Sequence, residues 1–367
     1  MRVLQVVAAD RWTGAAATAL QAAVALRSAG VECHFAHRRG HNLEARLAGY
    51  EWAHAILEPV GSVRSFLRSL RALRHLASDF DLVHTHLPQD HLLATLAGAR
   101  LLVRSIHHPN HLPRHAYYRL LLRRTDAFGL ANTALGEALS RSPWAARPRA
   151  VLPVALEPRF RPAPVGPVVR QRLGIPTQAV VVGTIGKLDR GRGHGTFLAA
   201  LARVPAAWGM VIGKGPLLPH LRRTAQELGI AGRVVWPGYV EEGLESLYAA
   251  MDLFVFPAAG SDWAHRAIAE AAGCGVPTLA ADLPGVRDLV EPPATGELFP
   301  CDDAAALAVL LQRWAANPDQ RREAGAEAAR RAAARWTSER LAAACLELYR
   351  VCPGLAPRPG AGAPAGA

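Results

Sequence analysis

Short runs of apolar residues alternate with stretches of helical periodicity along most of this 367-residue chain. In the first half the predicted strands are RVLQVVAA, VECHFAH, DLVHTH, LLVRSIHH, AFGLAN and RAVLPVAL. Between them the periodicity predicts helices over about 15–28, 62–77 and 90–98. Buried strands that alternate with helices are typical of a doubly wound parallel sheet.

A proline-rich passage, PRFRPAPVGPVVRQRLGIP (158–176), interrupts this pattern and is predicted to link two domains. The pattern then restarts with five strand-to-loop units: AVVVGTIGKL, GMVIGKGP, RVVWPGYV, LFVFPAAG and PTLAADLP. We therefore expect an α/β fold of two Rossmann-like parallel-sheet domains, over 1–160 and 161–335, that face a cleft. The low-complexity end, 353–367, is predicted to be disordered.

The composition agrees with this expectation and also bears on the cellular compartment of the protein. Half of the residues are apolar and 20% are charged, and no apolar run reaches the length of a membrane span. The strand-like RVLQVVAA follows Met1 directly and does not resemble a signal peptide. The five cysteines are odd in number and form no CxxC pair. These features favour a cytoplasmic protein with reduced thiols.

The net charge of +12 is carried almost wholly by arginine, because Lys187 and Lys214 are the only lysines. A basic surface is compatible with nucleic acid, anionic lipid or phosphorylated small molecules as partners, and a compositional preference for arginine is an equally open explanation. Nucleic acid is the weakest of these alternatives, since no nucleic-acid-binding motif is present and aromatic residues make up 6% of the chain.

Both lysines fall in loops that follow predicted strands, at the edge of a parallel sheet where ligands bind. GTIGKLDRGRG (183–193) carries Lys187 and Arg192, GKGP (213–216) carries Lys214, and PGYV and PAAGSDW follow the next two strands. Flexible cations beside glycines suit a diphosphate, because the backbone can approach the ligand closely. The alternative is that each glycine only makes a tight turn.

The segment GSDWAHRAIAEAAGCGVP (260–277) has one carboxylate before a predicted helix and a second carboxylate inside it. If the helix begins near Asp262–Trp263, its free amides point at the same diphosphate, and Glu270 lies about two turns further on. Asp262 and Glu270 could then accept hydrogen bonds from hydroxyls of two different sugars. In the alternative interpretation Asp262 is an N-cap and Glu270 is an ordinary helix residue.

This segment resembles the motif of the retaining GT-B glycosyltransferases of the family 4 type: Glu, seven residues, Glu, a small-residue helix and GxPV. Asp262 stands for the first Glu. GKLDRGRG is similar to the family's GRLxxxKG, GKGP to GxGP, ADLPGVRDLV to GxPEL and VLPVALEPRFRP to its interdomain link. SDFDLVHTH and VRSIHH resemble first-domain strands of the family. In order and at the family's spacing, these matches cover most of the chain.

The resemblance implies a role for each matching residue. Lys187 and Arg192 would bind the donor diphosphate and stabilise the leaving nucleoside diphosphate, Glu270 would hold the ribose hydroxyls, and Asp262 would hold the transferred sugar. Two first-domain residues would also lie near the substrates, His107 at the sugar and Gly14 near donor and acceptor. Further donor contacts would come from Gly186, Gly213, Lys214, Gly215, Tyr239, Trp263, Ala264 and His265. The resemblance also implies an acceptor domain followed by a donor domain, with a last helix within 336–352 that packs back on the first domain.

Departures from the family pattern lie in two glycine loops. Trp263-Ala264-His265 replaces a Gly-aromatic-Gly, and the first glycine loop contains TGAA instead of a double glycine. A catalytically weakened nucleotide-sugar-binding protein therefore remains an alternative, as does a sugar-nucleotide epimerase of the same fold. A dehydrogenase is disfavoured because VVAADRWTGAA lacks the G-x-G-x-x-G pattern after the first strand.

No metal or other cofactor is expected. DFD (79–81) resembles a metal-binding DxD but precedes its strand, at the wrong sheet edge for the cleft. His107, His108, His111 and His115 suggest zinc, but Pro109 and Pro113 interrupt any helix that would align them. The departing diphosphate would then be neutralised by Lys187, Arg192 and helix amides.

The expected reaction is hexosyl transfer from a nucleotide-diphosphate sugar to a hydroxyl of a cell-envelope glycan or glycolipid, with retained configuration by analogy with the family. The first half has a lopsided charge: residues 91–125 contain six arginines, five histidines and no acidic residue. The predicted helix SVRSFLRSLRALRH adds arginines at helical spacing. Peripheral docking on an anionic membrane that presents a lipid-linked acceptor is one interpretation, and a sheet-covering helix with a solvated arginine face is the other.

Overall fold

The computed structural model describes residues 1–10, 12–40, 42–59, 61–111, 116–240, 242–258 and 265–354. Its contacts divide the chain into two compact units. The first unit consists of Met1–Ala155 together with the chain from Ser338 onward, and the second unit is Leu156–Thr337. We describe each unit by itself.

The first unit is built on a parallel sheet of seven strands, in the order β3-β2-β1-β4-β5-β6-β7. Its elements are β1 (Arg2–Val7), α1 (Gly14–Ser28), β2 (Glu32–Arg38), α2 (Asn42–Leu47), β3 (Ala53–Leu57), α3 (Val63–Ala77), β4 (Leu82–Thr85), α4 (Pro88–Ala97), β5 (Leu102–Ile106), α5 (Ala116–Leu122), β6 (Ala127–Leu130), α6 (Thr133–Ser140) and β7 (Arg149–Val151).

The second unit has a parallel sheet of six strands, in the order β10-β9-β8-β11-β12-β13. Its elements are α7 (Gly166–Arg172), β8 (Val180–Ile185), α8 (His194–Ala202), β9 (Ala207–Ile212), α9 (Leu218–Glu227), β10 (Val234–Gly238), α10 (Leu244–Ala249), β11 (Leu253–Phe256), α11 (Arg266–Gly273), β12 (Thr278–Ala281), β13 (Gly296–Phe299), α12 (Ala304–Ala316) and α13 (Pro318–Arg335). The prediction of two Rossmann-like parallel sheets is confirmed.

The last helix, α14 (Ser338–Arg350), belongs to the first unit and packs against α1. Leu341, Cys345 and Tyr349, spaced four residues apart, are fully buried in the same apolar cluster as the alanines of α1. The small side chains of α1 allow this close approach, and Thr13 caps the start of α1 by accepting a hydrogen bond from the Ala16 amide at 3.2 Å. Helix α14 therefore completes the core of the first unit.

Helix α3 covers the other face of the same sheet. Leu73 and Ala77 are buried in a second apolar cluster, whereas Val63 is 75% and Leu67 42% exposed. Ser62 caps the helix by accepting a hydrogen bond from the Ser65 amide. The helix therefore both covers the sheet and presents an outward face of mixed arginine and apolar character.

Two features of the sequence prediction were wrong. The supposed link over 158–176 contains α7, and Phe160 belongs to the core of the second unit. The predicted strands omitted β3 and β13, which close two sheet edges with short runs of four or five residues.

Within the described helices, none combines the length and the apolarity that crossing a bilayer requires. Of the tail predicted to be disordered, residues 355–367 lie outside the described residues.

Candidate functional site

Two glycine loops of the second unit pack backbone against backbone at the carboxyl edge of its sheet. A Cβ on Gly213, whose φ is +142°, would lie 1.9 Å from the carbonyl oxygen of Gly186. A Cβ on Gly215 would lie 2.2 Å from the carbonyl oxygen of Leu188. The Leu188 amide also donates to the carbonyl oxygen of Lys214 at 3.0 Å. Glycine is required at 213 and 215 because two main chains meet there, which joins the two lysine-bearing loops.

A third loop joins this arrangement at the start of α8. Gly193, with φ of +70°, precedes the helix, and a Cβ there would lie 1.8 Å from the carbonyl oxygen of Pro257, just after β11. His194, the first residue of α8, is buried and its Nε2 lies 3.3 Å from the carbonyl oxygen of Lys187. Burial lowers the pKa of His194 below its ordinary value. The amino-terminal amides of α8 therefore lie beside the Lys187 loop.

Both lysines lie on the surface of these loops. Lys187 Nζ donates to Asp189 Oδ2 at 2.5 Å, and the Lys187 side chain is 62% exposed. This hydrogen bond is the main cause that lowers the pKa of Asp189. Lys214 Nζ lies 4.1 Å from the ring centroid of Tyr239, which is 52% exposed. Arg192, in the same loop as Lys187, is half-buried. The sequence prediction that Lys187, Lys214 and Tyr239 lie near one sheet edge agrees with these positions.

Helix α11 begins later than the sequence predicted. It starts at Arg266, so Glu270 lies little more than one turn from its beginning instead of two. His265, where the family pattern has glycine, adopts a left-handed backbone with φ of 47° and is buried. Its Nε2 lies 3.2 Å from the carbonyl oxygen of Pro284, and its ring contacts Phe256 edge-on. A residue with a Cβ in this region of φ stores strain, and such strain is concentrated at functional sites.

Glu270 is buried and held by two donors. Arg266 Nε donates to its Oε1 at 2.7 Å, and the Tyr248 hydroxyl donates to its Oε2 at 3.0 Å. Arg266 Nη2 also donates to Glu157 Oε1 at 2.6 Å, and Glu157 Oε2 accepts a hydrogen bond from Arg159 Nε at 2.8 Å. Burial raises the pKa of Glu270, and the charge and hydrogen bond of Arg266 oppose that rise. Each carboxylate oxygen keeps a further lone pair, so Glu270 can still accept hydrogen bonds from a ligand.

In the first unit, His107 follows β5 and is hydrogen-bonded to a buried polar chain. Its Nε2 lies 3.2 Å from His86 Nδ1, and His86 Nε2 lies 2.8 Å from Gln5 Oε1. Gln5 Nε2 donates to the Tyr349 hydroxyl at 3.2 Å, and that hydroxyl lies 2.7 Å from His84 Nδ1. We refer to these five residues as the histidine chain. Burial lowers the pKa of His84 to about 3, and the pKa of His86 also falls well below its ordinary value.

A second buried group of polar side chains lies beside the histidine chain. Arg104 and Asp90 form an ion pair at 3.3 Å with exposed fractions of 2% and 0%. His91 lies within hydrogen-bonding distance of the hydroxyls of Thr85 and Thr125, at 2.8 and 3.0 Å. Arg104 and His91 belong to the basic stretch 91–125, but both are buried, so neither of them adds charge to a surface. The charge count over 91–125 included both residues, so the exposed charge of this stretch is smaller than the count.

The sequence reasoning missed Gln5, His84, His86 and Tyr349, as well as Arg266 and Tyr248. Two of these gave a signal: His84 and His86 alternate in DLVHTH, a pattern that directs both side chains to one face of the sheet. The contact of Arg266 with Glu270 follows from their spacing of four residues on one helix. Tyr248 and Tyr349 gave no local signal.

The remaining predicted positions complete the description. Gly14 is the exposed first residue of α1, and a Cβ there would have open space. Asp81 of the DFD segment accepts a hydrogen bond from the Arg2 amide, at the amino edge of the sheet, as the sequence order required. Among the described residues, no group of three or more His, Cys, Asp or Glu side chains is arranged to hold a metal ion. Asp262, Trp263, Ala264 and His115 lie outside the described residues.

Two family models match the chain, one in each unit. Residues 167–331 match glycosyl transferases group 1, and residues 12–141 match glycosyltransferase family 4. The two matches cover most of the chain and contain the lysine loops and the three histidines of the histidine chain, whereas Gln5 and Tyr349 lie outside the matched ranges.

The chain belongs to the family 4 type of glycosyltransferases.

Characterised relatives agree with this membership over part of their length. A 2-deoxystreptamine N-acetyl-D-glucosaminyltransferase of Streptomyces fradiae is 30% identical over 52% of this chain and 46% of its own. A GDP-mannose-dependent alpha-(1-6)-phosphatidylinositol monomannoside mannosyltransferase of Mycolicibacterium smegmatis is 32% identical over 62% of this chain and 64% of its own. This glycosyltransferase thus spans between about half and two thirds of these relatives.

Solved structures of GT-B glycosyltransferases share the fold over nearly the whole chain. The structure of Anabaena HepE in complex with UDP has a TM-score of 0.85 and 19% identity, and the match covers 95% of this chain and 100% of HepE. At this identity the likeness establishes the fold of this glycosyltransferase.

Proposed function

We propose that this glycosyltransferase moves a hexosyl unit from a nucleoside-diphosphate sugar to an acceptor hydroxyl, with retained anomeric configuration and without a metal ion. The observation that carries the proposal is the joining of two exposed lysines and a helix amino terminus by glycine-dependent packing of three loops.

The chemistry of that region suits a leaving diphosphate. Negative charge grows on the diphosphate as the glycosidic bond breaks, and fixed cations and amides stabilise it in the transition state. Lys187, Lys214 and Arg192 supply the cations, and the start of α8 supplies amides with the positive end of a helix dipole. In this proposal Asp189 orients Lys187 until the diphosphate arrives.

Glu270 would bind the ribose of the donor. A buried carboxylate that is fixed by Arg266 and Tyr248 loses no rotamer entropy when it accepts a hydroxyl, which favours binding. Asp262 would hold the transferred sugar, and His107 would contact that sugar from the first unit. Gly14 and the amides of Trp263, Ala264 and His265 would complete the donor site.

Retention requires the acceptor to attack from the face that the diphosphate leaves. The Asp189 carboxylate beside Lys187 is ion-paired with that lysine, which disfavours it as a covalent nucleophile, and the family mechanism has no covalent intermediate. We therefore propose a front-face displacement without a covalent glycosyl-enzyme. Proton NMR of the product tests this, since the anomeric coupling constant of the transferred sugar must match that of the donor, and an inverted anomer would contradict the proposal.

Calorimetry with UDP, GDP and ADP, followed by turnover assays with the matching sugar nucleotides, tests the donor assignment. Lys187→Met combined with Arg192→Met is expected to lower kcat by a factor of a thousand or more, because each lost contact to developing charge is worth about 3 kcal/mol. Arg223→Met, on the exposed side of α9, is the matched control for loss of positive charge. Near-normal kcat in the double variant would refute the diphosphate site.

Glu270→Gln is expected to weaken binding of the nucleoside diphosphate at least tenfold, and Glu227→Gln at the exposed end of α9 is its control. If donor binds but no sugar is released to water or acceptor, the chain is a nucleotide-sugar-binding protein. If the sugar changes configuration while still attached to the nucleotide, it is an epimerase.

The acceptor is proposed to be a cell-envelope glycan or glycolipid that is reached by peripheral docking on an anionic membrane. The exposed face of α3 carries Arg64, Arg68 and Arg71 beside the exposed Val63 and Leu67. Arginines that neutralise anionic headgroups contribute about 1 kcal/mol each at low salt, and apolar side chains add burial in the interface.

Vesicle flotation tests the docking. Vesicles with anionic lipid should bind the protein at low salt and release it at high salt, whereas neutral vesicles should not bind it. Replacing the three arginines by Gln should abolish flotation, and replacing Arg222 and Arg223 of α9 should not. Equal flotation of both variants would remove α3 from the docking surface.

A further inference from the structure

The histidine chain ends at His107, the residue that is proposed to contact the transferred sugar. Gln5, His84 and His86 are 0% exposed, whereas His107 is partly exposed at the carboxyl end of β5. A buried polar chain that reaches the surface through one imidazole can fix which nitrogen of that imidazole carries the proton.

The hydrogen bonds determine which atom donates and which accepts at each step of the histidine chain. Gln5 Nε2 donates to the Tyr349 hydroxyl, so Gln5 Oε1 is the atom that faces His86. Because a carbonyl oxygen only accepts, His86 Nε2 must carry a proton. In a neutral ring His86 Nδ1 is then a lone pair, and it can accept only from a proton on His107 Nε2, 3.2 Å away.

The orientation of the Gln5 amide has a second support. The Cys33 thiol is a second neighbour of the amide, and with its Sγ 3.9 Å from the carbonyl oxygen of His34 it can donate there and accept from the amide. The amide nitrogen therefore faces two acceptors, at Cys33 and Tyr349. A reversed amide would direct its oxygen to Cys33 and would reverse every proton in the chain.

We propose that Gln5 and His86 are positioning residues that hold His107 as the neutral Nε2–H tautomer, with Nδ1 as a hydrogen-bond acceptor for a substrate hydroxyl. Among the described residues, His107 Nδ1 has no hydrogen-bond partner, so this lone pair is available. The ring stacks on His86 with centroids 5.4 Å apart, which fixes its plane as well.

The surroundings of His107 oppose a second proton on its ring. Burial, the positive charge of Arg104 and the ring of His111 together lower the pKa of His107 to about 3. Asp90, the acidic group nearest to Arg104, is already paired with that arginine. His107 therefore accepts a hydrogen bond at neutral pH and cannot deliver a proton to a leaving oxygen.

The tautomer follows from the geometry alone, whereas the substrate hydroxyl as its partner rests on the proposed function. Nitrogen-15 NMR of the full chain labelled at histidine reports the tautomer directly, because protonated and unprotonated ring nitrogens have well-separated shifts. His107→Gln identifies the signals of His107 by their loss. The expected result at pH 7 is a protonated Nε2 and an unprotonated Nδ1, and a proton on Nδ1, alone or with Nε2, would overturn the proposal.

Gln5→Met removes the amide at nearly constant volume and is expected to convert His107 to a mixture of both tautomers. His91→Gln is the matched control, since His91 is equally buried but bonds to Thr85, Thr125 and the Leu121 backbone and to no member of the histidine chain, and it should leave the tautomer of His107 unchanged. A pure Nε2–H tautomer in Gln5→Met would overturn the role of Gln5. If Gln5→Met does not fold, the wild-type spectrum still decides the tautomer.

Activity separates this inference from the proposed function. A correct tautomer with full turnover in His107→Gln would remove His107 from the sugar site and leave the positioning chain intact. If His107 has the opposite tautomer and His107→Gln loses turnover, the positioning role of Gln5 and His86 is refuted, and His107 keeps its place at the sugar site.

Discussion

Acidification should destabilise the first unit, because three of its fully buried histidines are held neutral. His84, His86 and His91 are 0% exposed, and burial lowers each pKa, that of His84 from 6.5 to about 3. The unfolded chain binds protons at these rings below pH 6.5, whereas in the folded chain His84 does so only near pH 3 and burial holds the pKa of His86 and His91 well below the ordinary value. Stability is therefore complete above pH 6.5 and is lost as the pH falls.

The size of the loss follows from proton linkage. Between pH 7.5 and 5.5 each such histidine removes about 1.4 kcal/mol from the free energy of unfolding, and the three together remove about 4 kcal/mol. Since a domain is stable by only about 5–15 kcal/mol, this is a large fraction of the total. Native-state amide exchange measures it as the opening free energy of amides in β4 and β5 at the two pH values.

The matched variants are His91→Gln and His220→Gln. Glutamine at 91 can still bond Thr85 and Thr125 but does not titrate, so the pH-dependent loss should shrink by about 1.4 kcal/mol. His220 is exposed on α9, and its replacement should change nothing. Burial raises the pKa of Asp90 to about 7, so Asp90 opposes part of the loss in the wild type, and the comparison with the variant isolates the ring of His91. An unchanged pH-dependent loss in His91→Gln would refute the assignment of that ring as neutral and buried.

Further predictions concern the second unit and can be checked by urea unfolding. Gly213→Ala should destabilise it by about 3 kcal/mol or more, because a Cβ meets a carbonyl oxygen at 1.9 Å and φ is +142°. Gly195→Ala in α8, where a Cβ has open space, should instead stabilise it by about 0.5–1 kcal/mol, and the same sign in both variants would contradict the packing argument. Arg266→Leu should cost about 3–5 kcal/mol, since it leaves the Glu270 carboxylate buried without its charge partner, and a neutral effect would show that the pair is solvated. Asp303→Ala should cost about 1 kcal/mol through loss of the cap on α12, and no change would show that the cap is redundant.

Sequence periodicity was sufficient for the architecture because strand and helix patterns are local. The predicted helices over 15–28, 62–77 and 90–98 correspond to α1, α3 and α4 within a few residues. The short edge strands β3 and β13 were missed since four or five residues carry little periodic signal. The start of α11 was misplaced because the helix pattern extends through His265, which the structure holds in a left-handed conformation.

The candidate site divides in the same way. The lysine loops were predictable because, in a parallel sheet, a glycine-rich loop that follows a buried strand lies at the sheet edge where ligands bind. Of the two contacts that hold Glu270, only the one with Arg266 was predictable, because Arg266 lies four residues away on the same helix. The contact with Tyr248 was not, because Tyr248 comes from α10.

By itself, the sequence determined two parallel sheets, the sheet edge where the cations lie, and the family to which the motifs belong, since each of these depends on residues close together in the chain. Only the tertiary structure decided that glycines 213 and 215 are required by contacts between main chains, and that His84 is hydrogen-bonded to Tyr349, 265 positions further along the chain. Such contacts depend on packing between distant segments, which leaves no repeat or spacing in the sequence from which they could be read.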